Sequence, residues 1–336
     1  MKPRLLVLEL WGLGDLVLAT SFLRAVTEKY EVTLLAKPFA LELAPRLWPE
    51  VKVVPFDAPW TAFRAKYHLW QWPWREMLRL QNLLEEQRFN YAVSARWDPR
   101  EHWVLKIIGA SERFGFPRLK SARYLTRELV RPNPLAHRSE FWRVVGLALG
   151  LDLPSREEIV PPSHPASSLA LIHSGARLPA RVWPLEYFRH TAARLREKNI
   201  TVQIACDPNQ LEWWQGCNEN AVCPKTVTEL FAQIDRAGIF VGNCSGPGHL
   251  AAICGVPTFT LYGPSLPEWF APMHPAAEKF EGKSCPYKPC SDYCRFSKPF
   301  CLGDLTADDV WVRVEKFAEL NLAVCQKHSP ASRGFS

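Results

Sequence analysis

Four short segments of the chain combine small residues with polar or charged side chains, each directly after a predicted strand. They span residues 10–16, 173–184, 241–252 and 261–265. Small residues let a backbone approach a ligand closely, and free backbone N–H groups can bind an anion. Ligands of open parallel sheets bind beside the carboxyl ends of the strands. We therefore expect these four segments to contribute to one site.

The first segment contains Asp15, the only carboxylate in the four segments, at the N-terminus of a predicted helix. Its sequence is Gly12-Leu13-Gly14-Asp15. The dinucleotide-binding fingerprint requires a third glycine where this chain has Val17, so an NAD site is not favoured. Asp15 suits two roles, a helix cap or a general base, and the residues alone leave both open.

The second and third segments carry groups suited to a phosphate. The second offers the small residue Ser174 and the guanidinium of Arg181, although a plain loop with solvated arginines fits equally well. In the third, a glycine-rich turn at Ser245-Gly246 delivers free N–H groups to a predicted helix start, as a diphosphate requires. His249 follows as a further donor, with a helix cap or a core residue as its alternative.

The elements that must position these segments alternate between strand and helix patterns. Such alternation predicts α/β layers over parallel sheets, here two doubly wound, Rossmann-like domains. Residues 151–168 lack periodicity and are rich in Pro and Ser, which predicts a linker. We expect an N-terminal domain over residues 1–160, a C-terminal domain over 161–325 and a flexible tail over 326–336. Single helices are predicted over residues 16–29 and 76–88.

Length and composition agree with two globular domains. The chain has 336 residues, of which 47% are hydrophobic and 22% charged. This composition excludes a disordered chain, and the length exceeds what one core usually organises. Apolar runs are only strand-length and the N-terminus is a poor signal peptide, so we expect a cytoplasmic protein that is not integral to a membrane.

Positive charge is concentrated in the first half. Residues 1–160 carry 24 Lys and Arg against 18 Asp and Glu, whereas the remainder carries 17 against 16. Residues 96–143 alone hold eleven basic and five acidic side chains. This stretch suits an anionic partner, with a solvated surface as the alternative. No nucleic-acid-binding motif accompanies it, so a small anion or a membrane surface is at least as good a candidate as nucleic acid.

Aromatic residues precede the predicted helix over residues 76–88. They are Trp60, Phe63, Tyr67, Trp70, Trp72 and Trp74. Because Pro73 interrupts them, one continuous buried face is not expected. Trp and Tyr favour the boundary between lipid and water, so the set suggests peripheral contact with an anionic membrane, with ordinary packing as the alternative.

All ten cysteines lie after residue 205. A long chain without an export signal favours reduced thiols. Cys285, Cys290, Cys294 and Cys301 fall within seventeen residues, which suits a tetrahedral zinc site, buried thiols or a redox pair. We do not count this cluster among the predicted site residues, and no metal or cofactor is expected.

The four segments, in this order, resemble glycosyltransferase family 9, the ADP-heptose:lipopolysaccharide heptosyltransferases. The motifs are Gly-Leu-Gly-Asp-Leu, Ala-Arg-Val-Trp-Pro, Gly-Asn-Cys-Ser-Gly-Pro-Gly-His and Leu-Tyr-Gly-Pro-Ser, and the resemblance spans about residues 4–320. It implies a GT-B architecture, in which two Rossmann-like domains face a cleft. The N-terminal domain would hold the acceptor and the C-terminal domain the nucleotide sugar.

The resemblance also implies roles for individual residues. Asp15 would be the base that deprotonates the acceptor hydroxyl. Arg181, where the family usually has Lys, would contact the diphosphate, and the nucleotide-sugar site would include Ser174 and the group Cys244, Ser245, Gly246 and His249. Cys244 departs from the family, which usually has Asp there. A neutral thiol cannot accept two sugar hydroxyls as a carboxylate can.

The implied activity is transfer of a heptose-like sugar, with inversion and without a metal, to a lipopolysaccharide inner-core or related glycan. The implied partners are a nucleotide diphosphate sugar and an anionic glycolipid acceptor, with no nucleic acid. Two alternatives are a sugar-nucleotide-binding protein without turnover, suggested by Cys244, and a nucleic-acid or membrane binder that uses the basic stretch.

Overall fold

The computed structural model describes residues 2–62, 67–290, 293–297 and 299–322. The expectation of a flexible tail at 326–336, and those involving Phe63 and Cys325, lie outside the described residues. The described chain forms two six-stranded, fully parallel sheets with helices on their faces. The predicted α/β class with two doubly wound sheets is therefore confirmed.

The first sheet occupies the N-terminal half, in the order β3-β2-β1-β4-β5-β6. Its strands are β1 (Arg4–Glu9), β2 (Glu31–Ala36), β3 (Lys52–Pro55), β4 (Tyr91–Ser94), β5 (Glu112–Gly115) and β6 (Arg127–Glu128). β1 lies between β2 and β4, and five of its six residues are buried. Covered on both faces, it has a nearly continuous apolar sequence.

Six α-helices lie among the described residues of this half. They are α1 (Leu13–Leu18), α2 (Thr20–Lys29), α3 (Ala40–Leu47), α4 (Trp74–Glu85), α5 (Pro99–Ile107) and α6 (Arg138–Ala148). The single helix predicted over residues 16–29 is wrong, because the helix begins earlier, at Leu13, and is interrupted at Ala19. The helix predicted over residues 76–88 is α4, which ends earlier; Arg88 adopts a φ of 49°, which a continuing helix does not allow.

The second sheet repeats this architecture in the order β12-β11-β10-β7-β8-β9. Its strands are β7 (Leu169–His173), β8 (Thr201–Ala205), β9 (Ala221–Val222), β10 (Ile239–Asn243), β11 (Thr258–Tyr262) and β12 (Glu278–Glu281). Its helices are α7 (Leu185–Glu197), α8 (Leu211–Gly216), α9 (Val227–Ile234), α10 (Gly246–Ile253), α11 (Pro267–Phe270), α12 (Phe300–Gly303) and α13 (Ala307–Asn321). Between α6 and β7 the chain forms only one short 3₁₀ turn, Arg156–Glu158. The domain limits at 160 and 325 stay predictions.

The two halves pack against each other at several points. Arg46 on α3 makes a bidentate ion pair with Asp235, with N–O distances of 2.9 and 2.6 Å. Glu42 accepts hydrogen bonds from the backbone and hydroxyl of Thr228. His137 Nε2 lies 2.9 Å from the carbonyl oxygen of Ala271. These contacts join the N-terminal half to the C-terminal half.

Candidate active site

Asp15 lies in the first turn of α1, beyond the end of β1. Because α1 begins at Leu13, Asp15 does not occupy the N-cap position that a start at Leu16 would give it. Its Oδ2 instead accepts a hydrogen bond from the Gly12 N–H at 3.2 Å. The side chain keeps 21% of its surface exposed.

Arg96, after β4, is the main partner of Asp15. Its Nη2 lies 2.5 Å from Asp15 Oδ1 and 3.5 Å from Glu9 Oε1. Burial favours the neutral form of Asp15, but the adjacent guanidinium outweighs it, and the pKa of Asp15 falls below its ordinary value. Asp15 is therefore held ionised and in a fixed orientation.

Two further carboxyl groups are buried behind this pair. Burial raises the pKa of Glu9 to about 7, against the opposing charge of Arg96. Burial and the charge of Glu9 raise the pKa of Glu101, on α5, to about 8. Glu101 accepts a 2.7 Å hydrogen bond from Trp11 Nε1, and its other oxygen lies 2.5 Å from Ser94 Oγ. At neutral pH Glu101 is thus mainly uncharged.

This cluster extends the site beyond the residues that the sequence identified. Sequence reasoning missed Arg96, Glu9 and Glu101. One signal was available for Glu9, an acidic residue that directly follows four apolar residues at the end of β1. Arg96 and Glu101 carry no local signal, because their roles depend on contacts with residues 81 or more positions away in the chain.

In the C-terminal half, the predicted phosphate turn opens α10. Ser245 is the N-cap residue, and α10 begins at Gly246. Both Ser245 Oγ and His249 Nδ1 are buried without a hydrogen-bond partner. Burial lowers the pKa of His249 to about 4, so the ring is neutral. Buried polar atoms are nearly always paired, so two unpaired atoms at a helix N-terminus suit a ligand that would pair with them.

Arg181 lies in a 3₁₀ turn, Pro179–Arg181, on the neighbouring loop, and its Nε is likewise buried without a partner. The buried residue Asn243, at the end of β10, fixes this loop. Its Oδ1 accepts from Trp183 N at 3.0 Å, and its Nδ2 donates to the Ser174 carbonyl at 2.8 Å. Asn243 thereby connects Ser174 and Trp183, both in the second predicted segment, to the end of β10. Its sequence motif did not predict this role.

Ser174, which the resemblance places in the nucleotide-sugar site, lies directly after β7. Its side chain is fully buried. Its hydroxyl lies 2.8 Å from Gln210 Oε1 and accepts a hydrogen bond from Trp214 Nε1 at 3.1 Å. Because these contacts occupy the hydroxyl, it positions the loop, and a role of Ser174 in nucleotide-sugar binding stays a prediction.

Cys244 lies between β10 and α10 and is 7% exposed. Burial raises the pKa of its thiol, against the nearby charge of Arg181. The thiol is therefore neutral at pH 7. It cannot supply the ionised acceptor that an aspartate would supply at this place.

The two halves of the site meet where α1 packs on α10. A Cβ added at Gly14 would lie 2.8 Å from His249 Cδ2, and one at Gly246 would lie 2.8 Å from Leu13 Cβ. Two glycines thus allow the helix starts to touch. The close packing brings Asp15 within electrostatic range of His249, whose pKa its charge tends to raise.

The four clustered cysteines line one small cavity that also contacts Ala180 and Pro264. Cys285, Cys290, Cys294 and Cys301 are all free thiols. Within the part of the chain that the structure describes, no group of three or more His, Cys, Asp or Glu side chains is arranged to hold a metal ion. The cavity lies behind the loops that carry Arg181 and the Gly263-Pro264 turn.

The two fully parallel six-stranded sheets with their helices form a two-domain fold of the GT-B type. The glycosyltransferase family 9 structure from Veillonella parvula superposes with a TM-score of 0.74 at 18% identity, covering 95% of this chain and 98% of that one. Escherichia coli ADP-heptose lipopolysaccharide heptosyltransferase II gives 0.69 at 18%, covering 94% and 99%. E. coli heptosyltransferase WaaC with ADP-2-deoxy-2-fluoro heptose gives 0.71 at 17%, covering 93% and 99%.

Sequence comparison then gives the family. Residues 143–299 match the model of glycosyltransferase family 9 (heptosyltransferase). Lipopolysaccharide heptosyltransferase 1 of Pseudomonas aeruginosa is 27% identical over 251 residues, which cover 68% of this chain and 69% of that protein. The resemblance to glycosyltransferase family 9 is therefore confirmed over residues 143–299, which match the model of that family.

Proposed function

We propose that this protein transfers a heptose-like sugar from a nucleotide diphosphate sugar of the ADP-heptose type to a lipopolysaccharide inner-core or related glycan acceptor. The observation that carries the proposal is the set of buried, unpaired polar atoms of Arg181, Ser245 and His249, which lie around the start of α10. These donors suit a diphosphate. The family match and the bound nucleotide sugar of the WaaC structure support the same donor.

The proposed reaction assigns one task to each half of the site. Asp15 accepts the proton of the acceptor hydroxyl while that oxygen forms a bond to the anomeric carbon. The bond between the anomeric carbon and the diphosphate oxygen breaks, and its electron pair leaves with the nucleotide. Such displacements pass through an oxocarbenium-like state, so charge on the leaving diphosphate must be stabilised.

Two features of this chain would supply that stabilisation. Arg181 provides a guanidinium, and the N-terminus of α10 provides backbone N–H groups and the positive end of a helix dipole. We propose that these groups replace a divalent metal. We also propose inversion, because a hydroxyl activated by Asp15 from the opposite half attacks the face away from the diphosphate.

The low pKa of Asp15 fits a proton transfer that occurs late in the reaction. A carboxylate that pairs with Arg96 is a weak base toward an ordinary hydroxyl. As the new bond forms, the hydroxyl oxygen becomes positively charged and its proton becomes strongly acidic. Asp15 then needs only to be ionised and correctly oriented, and both conditions follow from its contacts with Arg96 and Gly12.

A second candidate is a nucleotide-sugar-binding protein without turnover. Cys244 favours it, because a buried neutral thiol stands where the family usually has a carboxylate near the donor sugar. The donor groups around α10 would be needed in this case too. The two candidates differ in whether Asp15 acts on an acceptor.

We further propose peripheral contact between the N-terminal half and an anionic membrane that holds the acceptor. Part of the aromatic set supports it: Tyr67, Trp70 and Trp74 are 73%, 77% and 43% exposed. The packing alternative holds for Trp60, which is 1% exposed and contacts the half-buried Trp72. None of the helices in the described ranges combines the length and apolar character needed to cross a bilayer.

The basic stretch supports this contact only in part. Arg113 donates to the carbonyl of Ala110 at 2.6 Å and to that of Tyr124 at 2.8 Å, so it serves the fold. Arg118 and Lys120, by contrast, are exposed on a loop. The excess positive charge is therefore divided between structural arginines and surface charges.

Paired variants test the proposed function. Asp15→Asn keeps an acceptor for the Gly12 N–H but cannot take a proton, so turnover should fall by about 10²–10⁴ while ADP binds as in the parent. Arg181→Ala should weaken ADP binding by about 1.5–3 kcal/mol and leave adenosine binding nearly unchanged. Calorimetry measures binding, and release of ADP from ADP-heptose in the presence of acceptor measures turnover.

The outcomes separate the two candidates. Asp15→Asn turning over at more than about a tenth of the parent rate would reduce Asp15 to a structural role. A parent protein that binds ADP but never turns over would favour the binding protein.

A further inference from the structure

Arg138, the first residue of α6, is enclosed by aromatic rings from both halves of the molecule. Its guanidinium carbon lies 4.7 Å from the ring centre of Trp97 and 5.3 Å from that of Phe141, both in the N-terminal half. It lies 4.7 Å from Trp269 and 5.6 Å from Phe270, which belong to α11 in the C-terminal half. Four rings therefore hold the side chain in one position.

The Nε–H group of this guanidinium has no acceptor among the residues that the structure describes. Nε is buried without a hydrogen-bond partner, and across the described residues Arg138 forms no ion pair and no side-chain hydrogen bond. Aromatic faces stabilise the positive charge but accept none of the five N–H donors in the usual way. Burial and the nearby charge of Arg96 lower the pKa of Arg138 to about 10, so it remains charged at neutral pH.

Other arginines of the basic stretch show what is unusual about Arg138. Arg113 and Arg131 also lie against the protein, and both donate to backbone carbonyls. A buried donor without an acceptor costs free energy, so its persistence requires an explanation. A rigid, charged and unpaired guanidinium is what a two-oxygen anion binds most strongly.

Its location connects Arg138 with the proposed acceptor. The charge of Arg138 is among the causes that lower the pKa of Asp15, which places it within electrostatic range of the proposed base. Arg96 already occupies the carboxylate of Asp15, so the donors of Arg138 stay free. In the proposed reaction Arg181 binds the diphosphate of the donor. An anionic group on the acceptor is therefore the remaining candidate ligand for Arg138.

We propose that Arg138 forms an anion subsite, which binds a carboxylate or phosphate group of the acceptor and so places the neighbouring hydroxyl against Asp15. This inference rests on the proposed function. The aromatic rings keep the guanidinium oriented before the acceptor arrives. Because two of them come from α11, the subsite is complete only when the two halves are together.

Sugar anions test the subsite directly. The full chain, saturated with ADP, is titrated with glucuronate, glucose 6-phosphate and glucose, and binding is followed through the ¹⁵Nε–¹Hε signals of labelled arginine. Assignment of the Arg138 signal uses Arg138→Lys. At least one sugar anion should bind about tenfold or more tightly than glucose and shift the Arg138 signal. The better of the two anions identifies the group as carboxylate or phosphate.

Variants and controls make the result decisive. Arg138→Gln should lose the preference for the anion, whereas Arg123→Gln, at an exposed arginine of the same half, should keep it. Equal binding of glucose and both anions, or an Arg138 signal that none of them shifts, would overturn the subsite. The signal of the parent protein answers the question even if Arg138→Gln does not fold. Failure to bind ADP would count against the proposed function, whereas ADP binding without anion preference counts only against the subsite.

Discussion

Arg96 connects the residues of the candidate site. One nitrogen contacts both Asp15 and Glu9, and the guanidinium lies 5.4 Å from the Trp11 ring centre. Without this cation, burial would dominate and the pKa of Asp15 would rise. The ionised state of the proposed base therefore depends on a residue outside every motif.

The first prediction concerns the pH dependence of turnover. In the parent, the pKa of Asp15 lies below its ordinary value, so kcat/KM should not lose activity through Asp15 between pH 5 and 7. In Arg96→Gln the base becomes protonated at higher pH. The acidic limb of the pH profile of Arg96→Gln should therefore move up into this range. Below the new pKa, kcat/KM should fall about tenfold per pH unit. Profiles of kcat/KM against pH measure this shift.

Arg100→Gln is the matched control, because Arg100, on α5, pairs with the N-cap residue Asp98 and not with Asp15. Its acidic limb should stay where the parent has it. An unchanged limb in Arg96→Gln would show that Arg96 does not set the protonation of the base. A drop in rate without a shifted limb would indicate a purely structural role.

At the scale of elements, the contact between α1 and α10 decides whether the two halves can meet. Gly14 lies inside α1, where alanine is normally preferred over glycine by about 1 kcal/mol. A Cβ there would lie 2.8 Å from the His249 ring, so packing opposes helix propensity at this position. The glycine is required by its neighbour across the interface rather than by its own backbone.

The second prediction follows from this opposition. Gly14→Ala should lower the melting temperature, because overpacking costs about 1–3 kcal/mol, more than the gain in helix propensity. Adding His249→Ala removes the ring and should recover much of the loss. Gly216→Ala, at the end of α8 with open space around it, should be neutral or stabilising. If Gly14→Ala were as stable as the parent protein, the contact between α1 and α10 would be able to accommodate the added methyl group.

At the scale of the whole molecule, an exposed apolar surface lies outside the candidate active site. It comprises Tyr67, Leu69, Trp70, Trp74 and Leu78, all more than 40% exposed. Trp74 and Leu78 also line an apolar cavity of about 180 Å³ between α4 and α5. An apolar surface next to a cavity, with Arg75 and Arg79 exposed on the same helix, suits the boundary of an anionic bilayer.

The third prediction tests this surface with vesicles. Co-sedimentation should require anionic lipid and weaken between 0.1 M and 1 M salt, as the Debye length falls from about 10 Å to about 3 Å. Leu78→Glu should reduce binding several-fold, whereas Leu320→Glu, at a 70% exposed leucine on α13, should not. Binding that ignores lipid charge and salt would contradict electrostatic docking and leave the glycosyltransferase proposal untouched.

The main architecture of this molecule could be predicted from local sequence patterns. Period and composition predicted two doubly wound sheets, and motif order located Asp15, Arg181 and the turn before α10 at the carboxyl ends of strands. These features are local: a buried parallel strand must be apolar throughout, and a glycine-rich turn before a helix exposes N–H groups wherever it occurs.

Tertiary structure alone decided how these residues are charged and what they touch. The pairing of Arg96 with Asp15, the neutral Glu101, the occupied hydroxyl of Ser174 and the aromatic enclosure of Arg138 were not predictable from the sequence. Each joins residues far apart in the chain. A protonation state depends on burial and on the nearest opposite charge, and both exist only once the chain has brought distant segments together.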